Sequence, residues 1–442
     1  MGTLFGTDGV RGVANADLTP DLALALGRAA GFVLAPDGGT VVVGRDTRLS
    51  GPMLEAALVA GLCSAGIDVA TAGVIPTPAV AFLTTDERAR AGSIISASHN
   101  PVDDNGIKFF SNEGFKIPQG TEDAIEELMQ AESVDLPTGE KVGRAEPLPA
   151  AMDRYVDHLL HAIEAPLDGL RVVLDCAHGA AWHAAPRAFR EAGADVVALH
   201  AEPDGVRINV ACGSTAPEAL ARRVVAEAAD VGFAFDGDAD RTVAVDEMGA
   251  VVDGDRIIAM SALRMHEAGQ LKNDLVVATV MTNLGFHRAL RERGIDVVAA
   301  PVGDRFVAEA MAERGAALGG EQSGHIIWFQ HATTGDGVLT ALKVAEMVKK
   351  SDQPLSQLGD VFQTYPQVMI NVEVARKAQL ASAEALWAEV AAVEDALGDE
   401  GRVLVRASGT EPVVRVMVEA SDEETAEKTA RALAERVARE LG

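Results

Sequence analysis

Three times along the chain a run of apolar, largely β-branched residues leads through a turn into a helical pattern, and the helix gives way at a glycine to a second apolar run. The copies run from TVVVGRD to AGIDVATAG, from LRVVLDC to AGADVVALH and from LVVATVM to RGIDVVAAP. Such runs suit strands buried on both faces of a mostly parallel sheet. Gly66, Gly193 and Gly294 stand where the helices should stop. Each copy therefore predicts a βαβ unit, and the chain as a whole predicts three similar mixed α/β domains with mostly parallel sheets. From about Tyr365 the pattern changes: VMINVEV, RVLVRAS and VVRVMVEA alternate as half-buried strands do, and a helical stretch follows over 422–441. Ser421 with Glu424 three positions later predicts a capping box at its start. A smaller C-terminal α+β domain is the expectation. Turn formers and prolines at 147–149, 248–253 and 365–366 place the predicted boundaries at 1–150, 151–252, 253–365 and 366–442.

Composition narrows the function classes. A chain of 442 residues exceeds one ordinary core, and 48% hydrophobic with 24% charged residues lets each domain bury apolar surface beneath a soluble face. A net charge of -28 repels nucleic acid and acidic membranes, so neither is expected as a partner. An anionic substrate is admissible only where Arg and Lys converge locally. Cys63, Cys176 and Cys212 are widely separated and form no CxxC, which predicts a reducing, cytoplasmic setting without disulfides or a thiolate metal site. The beginning of the sequence has no signal-peptide pattern, and Gly6 stands where a myristoylation signal needs Ser or Thr. The most apolar stretch, 53–83, is broken by Glu55, Asp68, Pro76 and Pro78, so no membrane span is expected.

The chemistry-bearing segments stand out against this background. In GSIISASHNPVDDNGIKFF an apolar strand opens into a loop holding Ser96, Ser98, His99, Asn100 and Pro101. Taken alone, it reads as an ordinary turn. In FAFDGDADRTVAVD a strand runs into Asp236, Asp238 and Asp240, and period-two spacing sets the three carboxylates on one side. Crowded carboxylates raise one another's pKa unless a cation neutralises them, which points to a hard divalent metal, Mg²⁺ first. An EF-hand fits Asp236, Asp238, Asp240 and Glu247, but Arg241 replaces the required glycine and both flanks read as strands. An aspartyl-phosphate enzyme of the haloacid dehalogenase kind would leave Ser98 without a role. GGEQSGHIIW brings Glu321, Ser323 and His325 into a glycine-flanked loop able to bind sugar hydroxyls. RASGTEPVVRV offers Arg406, Ser408, Gly409 and Thr410 in a loop suited to surround a phosphate, with Arg415 on the strand that follows. FGTDGVRG places Arg11 in a glycine-rich turn.

SASHNP, DGDADR, GEQSGH and RASGTEP, one per predicted domain and in this order, resemble the α-D-phosphohexomutase superfamily over nearly the whole chain. The resemblance implies four domains around a central cleft and an isomerase that carries its phosphoryl group on Ser98 as phosphoserine. It implies one Mg²⁺ per site, held by that phosphate with Asp236, Asp238 and Asp240. Arg11, Lys108 and Arg241 would line the reacting phosphate, His99 would join the catalytic set, and Lys108 and His325 would transfer protons. Glu321 and Ser323 would hold sugar hydroxyls, and Arg406, Ser408, Gly409, Thr410 and Arg415 the phosphate that is not reacting. The implied partners are sugar phosphates and a sugar bisphosphate activator, and the oligomeric state, a homodimer included, is left open. FGTDGVRG and Gln322 lean, by resemblance only, toward interconversion of glucosamine 6-phosphate and 1-phosphate for amino-sugar nucleotide and cell-wall precursor synthesis. Mannose or glucose phosphates are the alternative.

Overall fold

A computed structural model describes the chain apart from residues 1–3, 7, 132–133 and 409–411. The chain divides into two compact units, Met1–Met281 with Ile295–Asp360, and Thr282–Gly294 with Val361–Gly442. In the larger unit the three apolar repeats become three sheets. The first is built on the parallel strands Thr40–Arg45, Asp68–Val74 and Ala91–Ile95, with Asp104–Ser111 returning antiparallel beside Ala91–Ile95. The second repeats the plan with Arg171–Asp175, Asp195–Leu199, Val231–Phe235 and antiparallel Thr242–Asp246. The third does so with Leu275–Thr279, Asp296–Ala300, Leu318–Gly320 and antiparallel Ile326–Trp328. Val10–Val13 and Ala145–Pro147 extend the first sheet, and Val251–Val252 the second.

The order across each sheet is the same: the antiparallel strand, the third strand, the first and the second. The repeat is therefore longer than the βαβ unit visible in the sequence, because it ends in a hairpin. That hairpin leaves no common pattern: its strands in the third copy are three residues each, too short to show a period. Val231–Phe235 and Thr242–Asp246 are buried at every position, as strands covered on both faces are. Gly66, Gly193 and Gly294 all adopt positive φ at the helix ends, as expected of terminators.

The smaller unit is an antiparallel sheet in the order Gln367–Glu373, Val413–Glu419, Arg402–Ala407. Its core joins the sheet to the helices Glu384–Leu397 and Glu423–Leu441 through Val414, Val416, Leu386, Leu433 and Val437. The last helix is capped one residue later than the sequence suggests: Asp422, not Ser421, accepts from the Thr425 amide. A carboxylate outdoes a hydroxyl beside the positive end of a helix. Among the described residues no helix is long and apolar enough to cross a membrane.

One buried contact ties distant segments of the larger unit together. Tyr155, on the helix Ala151–His161, donates its hydroxyl to both carboxyl oxygens of Asp336, at 3.0 and 2.9 Å. Asp336 in turn caps the helix Gly337–Ser351 by accepting from the Leu339 amide. Burial pushes its carboxyl up from 3.8 to about 7. The native carboxyl thus keeps a proton that an unfolded one releases, and stability falls as pH rises between these values, by roughly 1.4 kcal/mol per unit. Asp336→Asn keeps the cap and has no proton to lose. Urea unfolding at pH 5 and pH 7 should show the wild type losing roughly 2–3 kcal/mol more than the variant over that interval; parallel pH profiles would mean that the carboxyl is already ionised in the fold.

Candidate active site

The chemical motifs of the larger unit occupy one equivalent place, the loop of the terminal hairpin in each sheet: 96–103, 236–241 and 321–325. The first presents Ser98 at φ 52, a left-handed conformation that costs a residue with a Cβ roughly 1–3 kcal/mol. A fully buried ion pair holds it there. Arg48 Nε donates to Asp46 Oδ2 at 3.0 Å, and the guanidinium also donates to the carbonyls of Ser98 (2.9 Å), Asn100 (2.8 Å), Pro101 and Asp104. Ser96 Oγ donates to Asp46 at 2.6 Å and accepts from the Ser98 amide at 2.9 Å. A buried guanidinium is well suited to this, because it offers several donors in a rigid fork.

So held, Ser98 Oγ donates to Asp236 Oδ2 at 2.5 Å and lies 3.2 Å from His99 Nδ1. Gly237 makes this approach possible, since a Cβ there would lie 2.5 Å from the Ser98 carbonyl oxygen. Asp236, Asp238 and Asp240 are all buried, and each offers an oxygen within 4.8 Å of the others. Burial, then Asp240 and Asp238, push the Asp236 carboxyl well up. Burial works in the same direction on Asp238, but the Lys108 ammonium at 3.1 Å and the Thr77 hydroxyl at 2.6 Å outweigh it and hold that carboxyl low. Oδ1 of Asp238 and Oδ1 of Asp240 are buried without a hydrogen-bond partner. Buried carboxylate oxygens seldom go unanswered. A set of oxygen donors, two of them unanswered, on crowded carboxylates fits a hard divalent cation.

Cations surround the triad. Lys108 Nζ lies 3.6 Å from Asp8 Oδ1 and 3.9 Å from Asp240 Oδ2 as well. Burial opposes its charge, yet Asp238, Asp8 and Asp240 together raise its pKa, so it remains an ammonium. Arg241 donates its amide to Asp236 Oδ1 at 3.2 Å. Arg11 bonds Asp8 and donates to Asn100 Oδ1 at 3.2 Å; it lies on the strand Val10–Val13 and not in a turn. His99, by contrast, is kept neutral, its pKa lowered to about 4 by burial and then by Arg241 and Arg11.

The third loop adds His325, whose Nε2 accepts from the Gly335 amide at 3.1 Å and lies 3.6 Å from Asp304 Oδ2. Gly324, at φ 90 and with its Cβ position 2.0 Å from the Thr242 carbonyl oxygen, seats this loop against the second sheet. Burial raises the Glu321 carboxyl, with His325 and Arg241 pulling it back. Ser323 is exposed. Gln322 donates to Asp253, the cap of the helix Gly254–Glu267, at 3.3 Å.

In the smaller unit Arg406 and Arg415 stand directly opposite each other on adjacent strands. Burial, then Arg415, lower the Arg406 pKa. Lys377 donates to the Ser408 carbonyl at 2.9 Å. Gly409 and Thr410 lie outside the described residues. Several contributors were not singled out by the sequence: Asp46 and Arg48 behind Ser98, Thr77 on Asp238, Asp8 between Arg11 and two lysines, and Lys116 joined to both Asp8 and Asp304. Asp46 and Arg48 did leave a trace, as charges placed straight after an apolar strand in VVVGRDTR, and Asp8 lies inside FGTDGVRG.

Four family descriptions match along the chain: phosphoglucomutase/phosphomannomutase alpha/beta/alpha domain I over residues 2–135, domain II over 153–249, domain III over 253–365 and the C-terminal domain over 369–436. The phosphoglucosamine mutase of Rhodococcus opacus (strain B4) is 54% identical over 443 residues, covering 99% of this chain and 100% of that protein. A solved phosphoglucomutase/phosphomannomutase family protein from Burkholderia thailandensis is 27% identical with a TM-score of 0.84, covering 99% of this chain and 98% of that one. Aspergillus fumigatus N-acetylphosphoglucosamine mutase, solved with GlcNAc-6P and magnesium, shares the fold at 17% identity and a TM-score of 0.74, covering 99% and 96%.

The triad gives a direct test of metal binding. Asp238 is a poor choice, because its replacement would also strand the buried Lys108. Asp240→Asn removes one charge from the site and leaves the closest Lys108 contact in place. Isothermal titration with a divalent cation should show affinity lowered by at least roughly tenfold. An unchanged titration would mean that the three carboxylates hold no ion.

Proposed function

This chain belongs to the phosphoglucosamine mutases of the phosphoglucomutase/phosphomannomutase family and is an isomerase, and from that premise we propose that it interconverts glucosamine 6-phosphate and glucosamine 1-phosphate by way of phosphorylated Ser98. The observation that carries the proposal is the contact of Ser98 Oγ with Asp236, 2.5 Å apart in a buried, cation-rich centre. Phosphoryl transfer depends more on positioning and charge neutralisation than on covalent chemistry, and both are provided here.

In the forward direction the bond from phosphorus to Ser98 Oγ breaks as a bond to the sugar's 1-hydroxyl oxygen forms. The hydroxyl proton leaves to a nearby base, and Ser98 recovers a proton. The resulting bisphosphate turns end for end, Oγ takes the 6-phosphoryl group, and the freed 6-oxygen is protonated. Lys108 and Arg241, with Arg11, suit the reacting phosphate. His99 is neutral and in contact with Oγ, which suits it to accept the serine's proton. Lys108 and His325, each bearing a proton, suit the donor side. Asp236, Asp238 and Asp240 would hold Mg²⁺, which would supply charge neutralisation at the phosphoryl group. Glu321 and Ser323 would bind sugar hydroxyls. Arg406, Ser408 and Arg415, with Gly409 and Thr410, would bind the phosphate not reacting at that moment, and Lys377 adds to that cationic surface. A sugar bisphosphate would load Ser98. Within this scheme we assign 1–150 to the phosphoserine, 151–252 to the metal, 253–365 to the sugar and 366–442 to the distal phosphate. The three free cysteines fit a cytoplasmic setting.

Ser98→Ala should lower turnover by at least roughly 10³-fold with little change in thermal stability. The intact wild-type protein, treated with a sugar bisphosphate, should gain the mass of one phosphate at Ser98. Retained activity in the variant would rule out the serine relay. Gln322 donates to the helix cap Asp253. The relay leaves the choice of sugar to be measured: kcat/KM for the glucosamine, glucose and mannose 1-phosphates should rank glucosamine first, with leakage to glucose, because one missing polar contact in a wet site discriminates weakly. A higher value for glucose or mannose would change the substrate and leave the serine chemistry standing.

A further inference from the structure

We propose that Asn209 is a positioning residue for phosphoryl transfer, which clamps the peptide of Ser98 to the part of the fold that carries the acidic triad; the proposal rests on the serine relay. Two groups grip the Ser98 loop through the same two carbonyls, those of Ser98 and Asn100. Arg48 belongs to the same sheet as the serine, so it fixes the loop's shape. It cannot fix where that loop sits relative to Asp236, which belongs to the second sheet. Asn209 comes from the segment after the second sheet's edge strand Asp195–Leu199, and its Nδ2 donates to the Ser98 carbonyl at 2.9 Å and to the Asn100 carbonyl at 3.4 Å. With two carbonyls facing it, the amide nitrogen and not the amide oxygen must point at the loop.

The base beneath Asn209 is rigid. Its own amide donates to the Ala177 carbonyl at 3.0 Å. The buried Asp175 at the end of the second sheet's first strand accepts from the amides of Ala177 (3.0 Å) and Gly213 (3.1 Å) and from His200 Nδ1 (2.9 Å). That carboxylate thereby nails down both ends of the segment. Ala177, His178, His200, Asn209 and Ala211 all hold positive φ, a concentration of unfavourable backbone that persists only where surrounding contacts over-determine it. Asn209 at φ 60 uses the residue type that tolerates this conformation best after glycine. Gly237, between two members of the triad, completes the junction: a Cβ there would lie 2.5 Å from the Ser98 carbonyl oxygen and 3.0 Å from Asn209 Nδ2.

Thr77 and Lys108 also cross to the triad, through Asp238, and Thr47 donates to the His178 carbonyl at 2.7 Å. These contacts register the two sheets as bodies. Asn209 is the side chain from the second sheet's region that bonds the peptide of the nucleophile itself. Its loss should let Ser98 Oγ drift from the line of transfer while leaving the sugar and distal phosphate contacts unaltered, and displacement by about 1 Å is enough to cost roughly a hundredfold in rate.

The test uses the full-length protein with Asn209→Gly, which keeps the backbone conformation and deletes the donor, and Asn209→Asp, which keeps the shape and replaces the donor by an acceptor. Loading of Ser98 from glucose 1,6-bisphosphate is followed by intact mass, beside steady-state kcat and KM. Both variants should load and turn over roughly 10- to 100-fold more slowly, with KM within about twofold of wild type. Wild-type rates in either variant, a defect confined to KM, or loss of the thermal unfolding transition in both would overturn the clamp. A wild-type protein that takes no phosphate on Ser98 would overturn the relay and the clamp with it, whereas a loaded wild type beside unaffected variants removes the clamp alone.

Discussion

The arrangement depends on balancing buried charge. Asp236, Asp238, Asp240, Asp8 and Asp304 share a centre with Lys108, Lys116, Arg11 and Arg241, and several of these side chains are almost fully buried. Ions withdrawn from water are tolerated only when each is paired and hydrogen-bonded, and removing one partner leaves another uncompensated. This accounts for the opposite behaviour of neighbours on one loop. Asp238, against Lys108 and Thr77, is held ionised, whereas Asp236, whose nearest strong partner is a serine hydroxyl, is pushed toward protonation. The buried oxygens left without a hydrogen-bond partner, on Asp238 and Asp240, are what make the loop receptive to a cation.

The three repeated sheets turn that local chemistry into a composite site. Every copy ends in a hairpin at the same topological point, and each hairpin loop carries different side chains: a serine, carboxylates, and a glutamate with a histidine. The common scaffold has no chemistry of its own. Its contribution is precision, since a loop that joins two buried strands is fixed at both ends. Glycine at 237 and 324 then allows loops from different sheets to approach at backbone distance. The smaller unit follows another plan, with arginines facing each other across antiparallel strands.

Much of this was written locally along the chain. Strands buried on both faces announce themselves as apolar runs, helix ends as glycines, and the triad as aspartates two apart, because each of these follows from geometry repeated over a few residues. Ser98, Asp236, Asp238 and Asp240 could be picked out for the same reason, each lying in a short loop straight after such a run, whereas His325 was marked by the glycines that flank its loop. What the chain could not announce was which of these loops meet, and what holds them. Ser98 bonds Asp236 across 138 positions, Lys108 bonds Asp238 across 130, and Asn209 reaches Ser98 across 111. Hydrogen bonds and ion pairs between residues so far apart impose no period on either segment, so Lys116, Asp304 and Asn209 read as ordinary polar residues. Their roles, like the displaced cap at Asp422 and the occupied Gln322, came from packing one element on another, where a few tenths of an ångström decide which donor reaches which oxygen.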